Sequence, residues 1–76
     1  MLLSQLQIGE TRKIKQLGSS LEVQFRKRLL AMGLKPSAYV TLVRKAPFGD
    51  PLQIETSGIR LAIRSSLAKE IVLEAA

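Results

Sequence analysis

Residues 28–36 read Arg-Leu-Leu-Ala-Met-Gly-Leu-Lys-Pro, and at this stretch the spacing of the apolar residues changes. Up to Gly33, four apolar residues fall at helical spacing: Leu21, Phe25, Leu29 and Met32. After it, apolar residues recur at alternate positions, which is typical of strands. Gly33 suits the left-handed conformation that closes many helices, because it lacks a Cβ, and Leu34 is then expected to fold back onto Leu29. Since Pro36 cannot continue a helix, the stretch predicts a helix end followed by a strand.

The predicted helix covers residues 20–32 and begins at a serine-rich turn. Ser19 followed three residues later by Glu22 is the pattern of a capping box, in which each side chain satisfies a free backbone donor at the helix start. Val23 and Leu30 widen the apolar stripe. We therefore expect this face of the helix to pack against the core.

The rest of the chain reads as short strands and turns. Strands are predicted at residues 12–17, 38–45, 52–55, 59–64 and 71–73, a short strand or turn at 1–10, and one helical turn at 65–68. Ser57-Gly58 predicts a tight turn. When such short antiparallel strands close into a barrel, the sheet has no free edge at which chains could aggregate. The predicted fold is a single, mainly β domain over residues 1–76, a small SH3-like barrel of about five antiparallel strands with one inserted helix that covers one opening.

The composition excludes several classes of function. Twelve Lys and Arg against six Asp and Glu give a net charge of +6, which favours an acidic partner: a nucleic acid, an anionic membrane surface or an acidic protein face. The chain has no histidine or cysteine, and hence no ligands for a structural zinc site. Asp50 and Glu55 alone fall short of the roughly six oxygens that a hard cation prefers. We therefore expect no enzyme activity, no cofactor, no bound metal and no small-molecule substrate.

The loop Phe48-Gly49-Asp50-Pro51 is the first candidate for contact with a partner. Phe48 is a large apolar side chain between two prolines, which limit its freedom and lower the ordering cost of binding. The alternative is that Phe48 folds back onto the barrel, and that Gly49 and Asp50 only form the hairpin turn.

Two further candidate surfaces lie on and near the predicted helix. One is a basic face that suits acidic residues or anionic lipid headgroups, made of Arg26, Lys27, Arg28, Lys35, Arg44 and Lys45. The alternative for this face is a solvated helix surface. The other surface is an apolar groove rimmed by Met32, Gly33 and Leu34. The alternative for these three residues is core packing and helix capping.

Several stretches, in order and at this spacing, resemble the FeoA family, small proteins that accompany the ferrous-iron transporter FeoB. They are residues 28–36, Val40, the segment 44–51 (Arg-Lys-Ala-Pro-Phe-Gly-Asp-Pro) and the segment 58–64. One departure is Ser37, since the family usually has glycine after the proline. A type II turn needs positive φ at that position, so Ser37 either bears strain of about 1 kcal/mol or lies in another type of turn.

The resemblance implies a cytoplasmic SH3-like domain that docks on FeoB and promotes or regulates iron uptake. FeoB combines a cytoplasmic GTPase region with a membrane permease. Such a domain would reach the inner face of the membrane only through its partner, and weak self-association is compatible with it. The same barrel resembles the C-terminal domain of some iron-dependent repressors. That resemblance leaves a dimerising regulatory domain as one alternative. The net charge of +6 and the β-rich fold leave a small basic nucleic-acid-binding barrel as another, although sparse aromatic residues disfavour it.

Overall fold

The structure, a computed structural model that describes residues 1–75, consists mainly of short strands. Its strands are β1 (Thr11–Leu17), β2 (Tyr39–Lys45), β3 (Leu52–Thr56), β4 (Ile59–Ile63) and β5 (Ile71–Leu73). Its helices are α1 (Val23–Ala31), between β1 and β2, and α2 (Ser65–Ala68), between β4 and β5. Two 3-10 turns, Leu3–Gln5 and Pro47–Gly49, complete the regular structure of the described residues. Neither helix is long and apolar enough to cross a membrane.

The strands form one antiparallel sheet in the order β4-β3-β2-β1-β5. β1 belongs to both halves of this sheet, because residues 11–13 pair with β2 whereas residues 14–17 pair with β5. The register shifts between Ile14 and Gln16, a bulge that lets the strand turn from one half to the other. The expectation of a mainly β, SH3-like fold of antiparallel strands with one inserted helix is confirmed.

Alternation along the strands builds the core. In β3, Leu52, Ile54 and Thr56 are buried whereas Gln53 and Glu55 are not. The other buried strand residues are Ile14, Leu17, Val40, Leu42, Ile63, Ile71 and Leu73. Each fully buried Leu or Ile contributes about 1.5–3 kcal/mol relative to exposure, so this set dominates the stability.

The N-terminal residues also belong to the core. Residues 1–10 were expected to form a short strand or turn, and the structure shows a 3-10 turn at Leu3–Gln5 after a single bridge from Leu2 to Val72. The turn buries Leu3, and Leu6 follows it into the core.

The C-terminal end of α1 forms as the sequence predicts. Gly33 has a φ of +92°, its N–H donates to the Leu30 carbonyl (3.0 Å), and the Leu34 N–H donates to the Leu29 carbonyl (2.9 Å). These two bonds define a Schellman motif. Both Leu29 and Leu34 are buried in the core cluster.

A type II turn follows the helix. The Ala38 N–H donates to the Lys35 carbonyl (3.0 Å) across Pro36 and Ser37, and Ser37 has a φ of +79°. The strained alternative for Ser37 is therefore the one that the structure adopts, since a serine takes the conformation that favours glycine. The Ser37 N–H donates to the Ile14 carbonyl (2.9 Å), which holds the turn against β1.

The N-terminal end of α1 differs from the prediction. The helix covers Val23–Ala31 where 20–32 was expected, and Glu22 occupies the N-cap position without a capping bond from its side chain. The predicted capping box of Ser19 and Glu22 is therefore wrong. Tertiary contacts to Glu70 hold the residues before the helix in a turn: the Gly18 N–H donates to the Glu70 carbonyl (2.5 Å), and Ser20 Oγ donates to Glu70 Oε2 (2.7 Å).

The apolar stripe of α1 is also less buried than expected. Only Leu29 is buried within the helix, whereas Phe25 and Leu30 are exposed and Val23 keeps 65% of its accessible surface. Strand residues together with Leu3 and Leu6 fill the core, so the helix needs only one side chain there. α1 therefore lies on the surface with an apolar flank in contact with solvent.

Candidate functional site

The loop between β2 and β3 is built as a firm turn. The Gly49 N–H donates to the Ala46 carbonyl (2.8 Å), and the Ala46 N–H donates to the Pro51 carbonyl (3.0 Å). Asp50 Oδ1 accepts a hydrogen bond from the Ser65 N–H (2.9 Å), which ties the loop to the start of α2. Asp50 is thus part of the loop's framework, while Gly49, with a φ of +81°, allows the chain to turn back.

Phe48 projects from this loop into solvent. Its relative accessibility is 106%, which excludes the alternative that it folds back onto the barrel. Its φ of +70° lies in the left-handed region, which is uncommon for a bulky side chain and costs on the order of 1 kcal/mol. Neither the exposure nor the backbone conformation contributes to the stability of the fold.

The predicted basic face is divided among several elements. Arg26 is half-buried, and its Nη2 donates to the Gly18 carbonyl (2.7 Å), so this residue stabilises the turn before α1. The Arg28 guanidinium lies 5.9 Å from the centre of the Phe25 ring, at the limit for a cation–π contact. Lys27 is exposed. The other three cations, also exposed, lie elsewhere: Lys35 after the helix, and Arg44 and Lys45 at the end of β2.

One of the three residues of the predicted apolar groove at Met32, Gly33 and Leu34 lies inside the core. Leu34 is fully buried and Met32 is half-buried against the core, so Leu34 has no surface for a partner. Core packing and helix capping, the alternative for these residues, explains their positions.

A groove that the sequence did not indicate lies between the start of α1 and α2. Its volume is about 620 Å³, within the usual range for ligand sites. Apolar side chains and charged groups of both signs line it: Leu21, Phe25, Leu67, Arg28, Arg64 and Glu70. The two sides come together through the contacts of Gly18 and Ser20 with Glu70, which join residues about fifty positions apart. No local pattern carries that information.

The acidic residues do not form a metal site in the described part of the chain. Residues 1–75 contain no group of three or more His, Cys, Asp or Glu placed to hold a metal ion. Asp50 bonds to the Ser65 N–H, and Glu55 lies 3.4 Å from the Arg60 guanidinium.

One carboxyl group, Glu10 before β1, shows a clear change in acidity. The hydrogen bond from the Gln7 N–H (2.9 Å) lowers the pKa of Glu10, and Arg12, whose guanidinium lies 2.6 Å from Glu10 Oε2, acts in the same direction. The ion pair of Glu10 and Arg12 lies at the start of β1, apart from the Phe48 loop, the basic face and the groove beside α2.

These observations define a small SH3-like domain whose surface features are an exposed aromatic side chain on a firm loop and a partly apolar helix. Comparison with known proteins identifies the family. The model of the FeoA domain matches residues 1–75, and the chain belongs to the FeoA family. Members of this family are accessory proteins associated with ferrous iron transport.

Solved structures agree with this assignment. The FeoA protein of Chlorobium tepidum is 32% identical, with a TM-score of 0.88 over 96% of this chain and 68% of that one. FeoA of Stenotrophomonas maltophilia, complexed with zinc and described as a procaryotic SH3 domain protein, is 28% identical, with a TM-score of 0.85 over 97% of this chain and 89% of that one. A manganese-dependent transcriptional repressor in complex with manganese has a TM-score of 0.86 at 15% identity, over 97% of this chain and 35% of that one, and shares the fold alone.

Proposed function

We propose that this protein promotes or regulates ferrous iron uptake by docking on the cytoplasmic side of FeoB, with Phe48 as its main contact. In this proposal it neither carries iron nor catalyses a reaction. It would reach the inner face of the membrane only through its partner.

The observation that carries the proposal is the state of Phe48. A fully exposed phenylalanine at positive φ adds nothing to the fold and costs on the order of 1 kcal/mol. A partner pocket would bury the ring, and aromatic side chains are enriched among the residues that dominate binding energy. The backbone bonds of the loop and the Asp50–Ser65 contact fix the backbone that carries Phe48, so binding orders little more of the loop and its entropic cost is small.

Basic residues support an acidic docking partner. The net charge of +6 favours encounter with an acidic surface. Of the three cations on α1, Lys27 alone is free of the contacts that occupy Arg26 and Arg28. Charge contacts of this kind act mainly on the association rate.

The zinc of the Stenotrophomonas relative does not transfer to this chain. Zinc prefers cysteine and histidine ligands, of which this sequence has none, and residues 1–75 hold no cluster of three or more acidic ligands. The donor set is therefore a poor fit for that ion, and the proposal rests on protein contact.

The aromatic residues disfavour the nucleic-acid alternative. Phe25 lies on α1, Tyr39 at the start of β2 and Phe48 beyond its end. Tyr39 and Phe48 are thus separated by the length of β2, about 20 Å for seven residues. Rings so far apart do not form the continuous platform on which bases stack.

Phe48→Ala tests the proposal directly. Loss of the ring is expected to weaken binding to the purified cytoplasmic region of FeoB by about 2 kcal/mol, roughly thirtyfold in Kd, as measured by titration calorimetry. Tyr39→Ala is the matched control, because it removes another exposed ring at the far end of β2. Undiminished binding by Phe48→Ala, or the absence of binding by the unmodified chain in every nucleotide state, would contradict the proposal.

Phe48→Gly separates binding from stability. Glycine relieves the positive φ, so the free energy of unfolding is expected to stay level or rise by up to about 1 kcal/mol while binding is lost.

For the basic residues, Lys27→Glu is a cleaner test than a change at Arg26, which holds Gly18. It is expected to slow association severalfold at low salt without changing stability.

A further inference from the structure

The two edges of the sheet differ in how their backbone is covered. β5 is one edge, and residues 1 and 2 cover it: Leu2 bridges Val72, and the Leu73 N–H donates to the Met1 carbonyl (2.6 Å). β4 is the other edge, and it has a strand neighbour on one side only, β3. The sheet therefore has one covered edge and one open edge.

The open edge presents free backbone groups. Bonded and non-bonded pairs alternate in an antiparallel ladder, and the two-residue turn makes Thr56 and Ile59 a bonded pair. Arg60 and Ala62 therefore direct their N–H and C=O groups away from β3. Within residues 1–75 these groups accept and donate no other hydrogen bond. They form a ready template for another strand.

The side chains of β4 indicate which kind of strand fits. Arg60 and Ala62 are exposed on the same face of β4, and Arg64, which lines the groove beside α2, is exposed just beyond the strand. Arg60 has only a long contact to Glu55 (3.4 Å), with 70% of its side chain exposed, and Arg64 makes no ion pair within the described residues. Opposite charges across a strand pair contribute about 0.2–1 kcal/mol each, whereas like charges repel.

A second copy of this chain is a poor occupant of the edge. Residues 59–64 carry two arginines, Arg60 and Arg64, and no carboxylate, so antiparallel pairing of two copies of β4 brings four arginines to one seam in any register. The arginines therefore protect the edge against self-pairing and favour an acidic strand.

We propose that β4 is a docking edge for an extended acidic segment of the partner protein, which adds to the sheet as a sixth strand beside Arg60 and Ala62. This inference rests on the proposed docking on FeoB and assigns to it a second contact, separate from Phe48. The backbone bonds supply affinity, and the arginines select acidic side chains.

Amide hydrogen exchange of the full chain, alone and with the purified cytoplasmic region of FeoB, tests strand addition. Exchange at Arg60 and Ala62 is expected to slow by about tenfold or more in the complex, because both N–H groups gain acceptors. Binding that leaves these two amides unprotected overturns the inference and leaves the proposed function intact. Absence of any binding overturns both. Protection that rises with the concentration of the chain alone overturns the acidic partner in favour of self-pairing.

A pair of substitutions at Ala62 tests the charge preference. Ala62→Glu and Ala62→Lys both keep the backbone N–H and extend an exposed side chain from the same face. Ala62→Glu is expected to weaken binding about tenfold, while Ala62→Lys leaves it unchanged or tightens it. Equal losses in the two variants would overturn the preference for an acidic segment. Thermal unfolding of both variants confirms that the fold is retained.

Discussion

The two ends of α1 are held in different ways. At the C-terminal end, Gly33 and Leu34 close the helix with bonds to Leu30 and Leu29, only three and five positions away. At the N-terminal end, Gly18 and Ser20 are held by Glu70, about fifty positions away in the chain. One end is a local motif, and the other depends on the finished fold.

This difference bears on the candidate sites. The C-terminal end buries its apolar residue and leaves no groove at Leu34. The N-terminal end brings α1 beside α2 and thereby forms the groove lined by Phe25 and Arg28. A surface formed in this way depends on distant contacts, so its shape is expected to respond to changes at Glu70.

Gly18→Ala is expected to have the largest effect on stability. A Cβ at this position would overlap Glu70 Oε2 and lie 3.0 Å from the Glu70 carbonyl oxygen. The flexible end of the Glu70 side chain must move away and loses its hydrogen bond to Ser20, and the close approach to the carbonyl oxygen adds a smaller cost. We expect a loss of about 1.5 kcal/mol of unfolding free energy, measurable by urea denaturation. A loss below about 0.5 kcal/mol would show that the N-terminal end does not depend on the close approach of Glu70.

Gly33→Ala tests the C-terminal end. Space is sufficient, since the nearest atom to a new Cβ is Ser57 Oγ at 3.5 Å, so the cost arises from the φ of +92° alone. We expect a loss of about 1 kcal/mol, and a smaller one for Gly33→Asn, because asparagine tolerates the left-handed region better. Equal losses for alanine and asparagine would contradict a purely conformational cause.

Ser20→Ala and Ser19→Ala form a matched pair at the N-terminal end. Ser20→Ala removes the hydrogen bond to Glu70 and is expected to cost about 0.5–1 kcal/mol. Ser19→Ala is expected to change stability by less than about 0.3 kcal/mol, whereas a capping box would make it the costlier of the two. Thermal unfolding of both variants decides between the two descriptions of the helix start.

Ser37→Gly is expected to have the smallest effect, and a stabilising one. Glycine removes the strain at the φ of +79° but gains freedom in the unfolded chain, so the net increase is about 0.5 kcal/mol. Ser37→Ala is the control, because it keeps the strain and removes only the hydroxyl. A gain in both variants would assign the effect to the hydroxyl group and not to the backbone.

The same contrast between local and distant contacts explains what could be predicted. Alternation in β3, the turn at Ser57-Gly58 and the glycine end of α1 are local patterns, and all appear as expected. The capping box of Ser19 failed because Glu70 competes for the residues before the helix. The depth at which Val23 and Phe25 are buried depends on which other residues fill the core, and helical periodicity does not report it.

The candidate sites follow the same division. Phe48 could be selected from sequence because its loop is flanked by prolines, but its full exposure required the structure. The basic residues were predicted as one face across α1 and β2, and only the structure shows that Arg26 is occupied by a bond to Gly18 whereas Lys27 is exposed. The groove beside α2 and the open edge at Arg60 follow from topology, which no short motif encodes.

The pairing of β5 with β1 has a consequence for synthesis on the ribosome. β2, β3 and β4 are joined by short turns and can pair as soon as they emerge, whereas β1 waits for a partner translated more than fifty residues later. Pairing at such separation is slow, and until then β1 has a free edge along residues 14–17. Ribosome-bound chains in which β4 has left the exit tunnel while β5 has not should therefore contain a formed β2–β4 meander and a β1 that is unpaired along residues 14–17.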